Sequence, residues 1–160
     1  MAPVVMLNGT SCAGKTTVGR ALVAELGRDG SFWYSLDMDV ALWGLPKEWW
    51  AWPGHRGAHA SRGVSYDSER AGFQDFMVGP DARVVFDSFR VAVAHLARRG
   101  AGVVVSTIVF DKREYTGWVA ALDARDVTWV AVRAEAELVA RRERDRNESY
   151  WPGLAAGMST

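Results

Sequence analysis

The sequence predicts a single three-layer α/β domain whose mostly parallel sheet has four or five strands. Three observations carry that expectation. Strand-like and helix-like segments alternate along all 160 residues, with no linker, repeat or low-complexity tract between them. The strand candidates are near-continuous apolar runs, the mark of strands covered on both faces. At the front of the chain, Gly9-Thr10-Ser11-Cys12-Ala13-Gly14-Lys15-Thr16 fits Gly-x-x-x-x-Gly-Lys-[Ser/Thr], a phosphate-binding loop.

Residues 4–7 (Val-Val-Met-Leu) read as a short buried strand. Residues 16–26 read as a helix, with Val18, Ala21, Leu22, Glu25 and Leu26 at helical spacing. The loop therefore sits between a strand and a helix N-terminus, the setting of the P-loop NTPase-type domain. Unpaired backbone N–H groups and the positive end of the helix dipole face a polyphosphate there. Gly9 and Gly14 permit a close approach that a side chain would block. The nucleotide contacts expected are the run Gly9-Thr10-Ser11-Cys12-Ala13-Gly14-Lys15-Thr16-Thr17. Lys15 can reach the β- and γ-phosphates of ATP, and the Thr16 hydroxyl is placed to ligate Mg²⁺.

After a turn at 27–30, residues 32–36 read as a second strand ending in Asp37-Met38-Asp39. Ligands of an open parallel sheet bind outside the carboxyl ends of its strands, so this acidic pair can face the loop. A phosphoryl-transfer site needs a carboxylate there to orient and deprotonate an attacking hydroxyl. Asp37 and Asp39 point the same way if both are extended. The plainer role for either is to cap a helix beginning at Val40.

Residues 43–62 hold four of the eight tryptophans among Gly, Pro and polar residues, and read as a loop opening on a short helix. These rings could wall an apolar pocket or form a satellite core that pins the loop down. His55 and His59 are spaced i, i+4 but lack a third ligand nearby, so a metal site is the weaker reading. Residues 66–77 have helical character, with Phe73, Phe76 and Met77 as the apolar set, and Gly79-Pro80-Asp81 breaks the pattern. A longer helix follows over 83–99, closed by Gly100 with Arg98 and Arg99 in its last turn. Residues 103–110 give the strongest strand signal, 118–122 a short helix, and 127–133 another buried strand. The last helix, about 134–148, is dense in arginine: Arg141, Arg142, Arg144 and Arg146. Such a face is usually just solvated, but here its arginines can stabilise charge on a transferring phosphoryl group.

Composition narrows the partners. The formal net charge is zero, which argues against a broad nucleic-acid surface. No apolar run approaches 18 residues, so no membrane span is expected, and no signal-peptide pattern opens the chain. Cys12 is the only cysteine, which excludes an internal disulfide and fits a reducing, cytoplasmic setting. It reads as a small loop-lining residue, since nothing nearby supplies the base that a nucleophile needs.

Taken together, these stretches resemble the chloramphenicol phosphotransferase-like family of small P-loop kinases. The resemblance rests on Met6-Leu7-Asn8-Gly9 through Thr16, on Asp39 with Pro46 seven residues later, and on Val91 through Gly102. It continues in Trp129-Val130-Ala131-Val132-Arg133 running on to Arg142-Glu143, with a looser echo in Pro152-Gly153-Leu154-Ala155. It implies ATP- and Mg²⁺-dependent phosphorylation of a hydroxyl on a small molecule, an antibiotic in the family's namesake. It also implies Asp39 as general base, Arg142 and Arg146 as lid arginines, and Arg133 as the arginine ending the fourth strand. The Asp37-Met38-Asp39 pattern is similar to that of shikimate kinases, in which the first acid serves the metal; a metabolite kinase of the shikimate or gluconate type is thus a second reading. Two departures stand out: Ser106-Thr107 replace the acids common at the end of the third strand, and Ser149 replaces a third lid arginine. The sequence to Thr160 also lacks the last strand and helix that the resemblance implies. A nucleotide-binding protein without transferase activity is the third reading.

Overall fold

The structure is a computed structural model that describes residues 1–52, 55–70, 73–122 and 127–147; for 66–70, 73–75, 143, 144, 146 and 147 it describes the backbone alone. Its elements run β1 (Val4–Asn8), α1 (Lys15–Leu26), β2 (Trp33–Asp37), α2 (Met38–Leu42), a 3-10 turn (Lys47–Trp49), β3 (Trp50–Trp52), β4 (His55–Arg56), β5 (Val64–Arg70), β6 (Phe73–Val78), α3 (Pro80–Arg98), β7 (Gly102–Thr107), α4 (Lys112–Ala121), β8 (Val127–Ala131) and α5 (Ala136–Asn147).

The central sheet has four parallel strands in the order β2-β7-β1-β8. All six residues of β7 are buried, as its unbroken apolar run requires of a strand covered on both faces. Side chains alternate across it. Val103 and Val105 join Val4, Met6, Phe86, Val93 and Trp118 in the main core beneath α3 and α4. Ser106 faces the other way, toward Gly19 of α1. Helix α1 thus covers one face and α3 with α4 the other, giving the three layers expected.

A second four-stranded sheet, in the order β4-β3-β5-β6, is inserted between α2 and α3. Here the sequence reading fails twice. Residues 43–62 are not simply a loop, because they carry β3 and β4. Residues 66–77 are not a helix; they belong to the antiparallel pair β5–β6. The reason lies in where the window was cut. Val64 pairs with Val78 and Tyr66 with Phe76, an alternation of period two. A window over 66–77 excludes Val64 and Val78, leaving Phe73, Phe76 and Met77, whose spacing of three and four mimics a helix.

The inserted sheet shares the main core. Trp50 and Val64 are buried in it, and Phe76 meets Phe110 edge-on at 4.8 Å. The Trp49 indole donates to Asp81 Oδ2 at 2.9 Å, and Arg62 bonds Oδ1 of the same carboxylate at 3.0 Å. The Trp49 bond first, and Arg62 second, hold the Asp81 carboxyl below the usual carboxylate range. His55 stacks on Trp52 at 4.0 Å and its Nε2 lies 3.1 Å from the Lys47 carbonyl, while His59 tilts against Trp49. The histidines are therefore packing partners. Among the described residues no three His, Cys, Asp or Glu side chains gather to hold a metal ion.

Behind the sheet, α3 and α4 are clamped by charge. Glu114 is fully buried and accepts from Arg83 and, at 2.5 Å, from Arg90, which also pairs with Asp87. Removing one partner of such a buried set would leave a charge without compensation. Among the described residues no helix is long and apolar enough to cross a membrane.

Candidate active site

The loop is held from both sides before any ligand is considered. At its start, the Asn8 carbonyl accepts from Val132 N–H at 2.7 Å, and the Asn8 side-chain oxygen accepts from Val109 N–H at 2.9 Å. A Cβ at Gly9 would lie 2.2 Å from the Val132 carbonyl oxygen, so only glycine lets β1 pass this close to the segment after β8. At its end, Gly14 caps α1 with φ of 100°, a left-handed conformation that glycine adopts freely. No side chain caps α1. Its first-turn N–H groups, which have no intrahelical acceptor, thus remain available to an anion. Cys12 is the one non-glycine residue with positive φ among the described residues, at 54°. It belongs to the loop's curvature and borders the cavity.

Lys15 Nζ donates to the carbonyls of Gly9 and Thr10, both at 2.8 Å, and so lies across the mouth of the loop. Thr16 Oγ1 donates to Asp37 Oδ2 at 2.6 Å. The other Asp37 oxygen accepts from Asp39 N–H at 3.0 Å and caps α2. The cap expected for the acidic pair is real, but it falls on Asp37, and α2 begins at Met38 rather than Val40. Asp39, in the first turn of α2, still borders the loop: a cavity of about 450 Å³ is bounded by the loop, Asp37, Asp39, Ile108 and Arg142. Arg142 reaches across from α5, its Nη1 donating to the Cys12 carbonyl at 3.3 Å.

A second cavity, about 590 Å³, opens next to the first, and Thr16, Asp37 and Asp39 border both. Its walls include Tyr34, Val40, Trp43 and Phe89. The tryptophans of the 43–62 segment thus divide: Trp43 lines this cavity, while Trp49 and Trp50 pin the inserted sheet to the body.

Not every expected residue comes together. Arg133 is exposed two residues past β8 and borders neither cavity. The Arg146 side chain, Ser149 and Pro152 to Ala155 lie outside the described residues. Asp111 caps α4 through Glu114 N–H at 2.7 Å, which accounts for that carboxylate. Ser106 is buried, and its hydroxyl has no hydrogen-bond partner among the described residues. Sequence reasoning missed Asn8 as a brace, Ile108, and the second cavity's Arg20 and Phe89. Only Arg20 carried a usable signal, lying four residues after Thr16 and hence on the same helix face.

The family model for chloramphenicol phosphotransferase-like proteins matches residues 2–160. The chain belongs to that family. No curated protein matches it. Several solved P-loop kinases share its fold. A sugar kinase from Janibacter sp. is 16% identical, with 100% of this chain and 79% of that chain covered and a TM-score of 0.63. The Mycobacterium tuberculosis APS kinase, solved with AMPPNP and APS, is 18% identical, covering 92% and 72%, with a TM-score of 0.62. A gluconokinase from Sinorhizobium meliloti 1021 is 13% identical, covering 98% and 72%, with a TM-score of 0.57. This member of the chloramphenicol phosphotransferase-like family has the loop, the acidic pair, an arginine on α5, and serine and threonine at the end of β7.

Proposed function

We propose that this protein is a cytoplasmic ATP-dependent O-phosphotransferase acting on a small-molecule hydroxyl. One observation carries the reading: Asp39 stands where the loop-bounded cavity and its neighbour meet. A carboxylate at that junction can take a proton from a hydroxyl in one cavity while that oxygen faces a phosphoryl group in the other. In this reading Gly9 to Thr17 cradle the phosphates with backbone N–H groups, and Lys15 exchanges its carbonyl partners for phosphate oxygens. The acceptor oxygen forms a bond to the γ-phosphorus as the bond to ADP breaks, and the acceptor proton passes to Asp39. Arg142 stabilises the charge spread over the transferring group, with Arg146 and Arg133 as further arginines of the same role.

Thr16 and Asp37 suit Mg²⁺, because that ion takes one or two carboxylates and fills its remaining positions with phosphate oxygens and water. Their oxygens, 2.6 Å apart, already converge beside the loop. Bound there, Mg²⁺ would neutralise phosphate charge.

The test is ADP release with Mg·ATP across chloramphenicol, gluconate and shikimate, with mass spectrometry of the products. An acceptor gaining one phosphoryl group is the expected result. Folded protein that binds ATP yet phosphorylates nothing would favour a nucleotide-binding protein without transferase activity.

A further inference from the structure

The second cavity contains a cation that the proposed reaction does not use. Arg20 lies on α1 one turn beyond Thr16, about 5–6 Å further along the axis, and faces the second cavity. It does not border the loop-bounded cavity, so the phosphates are not its business. Four of the described arginines have acids: Arg28 has Glu25, Arg62 has Asp81, and Arg83 and Arg90 share Glu114. Arg20 has no ion pair or hydrogen bond among the described residues. The only acid on α1, Glu25, is taken by Arg28.

What surrounds Arg20 narrows the ligand. The cavity's two carboxylates, Asp37 and Asp39, lie at the end shared with the loop, and Asp37 is already committed to Thr16 and to the start of α2. Apart from Ser35, the remaining wall is aromatic and aliphatic: Tyr34, Leu36, Val40, Ala41, Trp43 and Phe89. The lining thus combines two acids beside the loop, which suit a hydroxyl, an apolar wall, and a planar guanidinium that offers paired donors and does not border the loop-bounded cavity. A neutral acceptor would leave those donors to water. A wholly polar, sugar-like acceptor would leave the aromatic wall unused.

We propose that the acceptor is an amphipathic hydroxy acid: an aromatic or aliphatic body with a hydroxyl at one end and a carboxylate, or an anion of like shape, held by Arg20 at the other. The inference rests on the kinase reading for which end reacts, but its binding test does not depend on turnover.

Three matched probes serve: 4-(hydroxymethyl)phenylacetate, its methyl ester and its primary amide. Calorimetry in the presence of Mg·AMPPNP compares their affinities for the wild-type protein, Arg20→Gln and Arg20→Lys. The acid should bind at least about tenfold more tightly than ester or amide, as one charge-assisted contact allows. Arg20→Gln should bring that ratio to about one, and Arg20→Lys should restore part of it. With Mg·ATP, the same ratio should appear in KM more than in kcat. Equal affinity for acid and amide, a preference that survives in Arg20→Gln, or no binding of any probe would each overturn the proposal. Acid-selective binding without phosphoryl transfer would keep Arg20's role and sink the kinase reading. Transfer to ester and acid alike would do the reverse.

Discussion

Strands β7 and β5 both lie inside four-stranded sheets, yet they serve different ends. β7 is buried along its full length between parallel neighbours, and its carboxyl end delivers the chain to Ile108 at the loop-bounded cavity. β5 pairs in parallel with β3 and antiparallel with β6, and it contributes Val64 to the core. The parallel sheet lines up strand ends and helix starts so that polar groups converge at one rim. The inserted sheet instead supplies bulk to the core and pins the chain between α2 and α3. The candidate site and the packing of the inserted sheet thus draw on different stretches of the sequence, with Trp43 at the boundary between them.

Substitutions can break or sharpen that division. The largest effect should come from Asp39→Asn, which is expected to slow phosphoryl transfer by about 10²–10⁴-fold while ATP affinity and the unfolding midpoint stay near wild type. Loss of ATP binding as well, measured by calorimetry, would sink its role as base. Lys15→Ala should lower ATP turnover by roughly 10²–10³-fold, again with little change in stability; an unaffected steady-state rate would mean the loop is not the nucleotide site. Trp50→Ala should behave oppositely. Truncating this buried ring is expected to cost about 3–5 kcal/mol in urea unfolding, with ATP affinity of the folded fraction unchanged. A large loss of nucleotide affinity there would show the two regions to be coupled.

The smallest effect concerns Asp81. Its carboxyl is held low in the folded state by Trp49 and then Arg62, so the unfolded state takes up its proton first as pH falls. The stabilisation is therefore complete above the ordinary carboxylate range and is lost as pH drops through the lower folded value, below about pH 4. Tryptophan fluorescence on acidification should reveal this transition, and its early part should be missing from Asp81→Asn. Identical curves for the two proteins would remove Asp81 from the account.

What could be read from the sequence follows the same division. The strand before Gly9 and the run at 103–110, of which residues to Thr107 are strand, could be recognised because parallel strands are apolar on both faces and need no partner to be seen. The phosphate loop could be recognised because its backbone geometry demands Gly9 and Gly14 at fixed places. β5 and β6 could not, because their evidence is a pairing: Val64 means little until Val78 lies opposite. The second cavity was hidden for a similar reason. Tyr34, Trp43 and Phe89 come from a strand, a helix end and a distant helix, and only tertiary folding puts them on one wall. The cap at the acidic pair could be read in outline, but nothing in the sequence showed that the Asp37 carboxylate would cap α2 and receive the Thr16 hydroxyl at once.

That double engagement has a chemical consequence. A carboxylate is symmetric and accepts at both oxygens, so Asp37 can anchor α2 with one and receive the Thr16 hydroxyl with the other. An amide has no such symmetry: asparagine at this position could keep the α2 anchor through its single oxygen, but toward Thr16 it would present N–H and reverse the polarity of that contact. The hydroxyl lone pairs now free to turn toward the loop would be spent on the amide. Position 37 therefore sets the direction in which the Thr16 proton points, a property that neither shape nor volume would reveal.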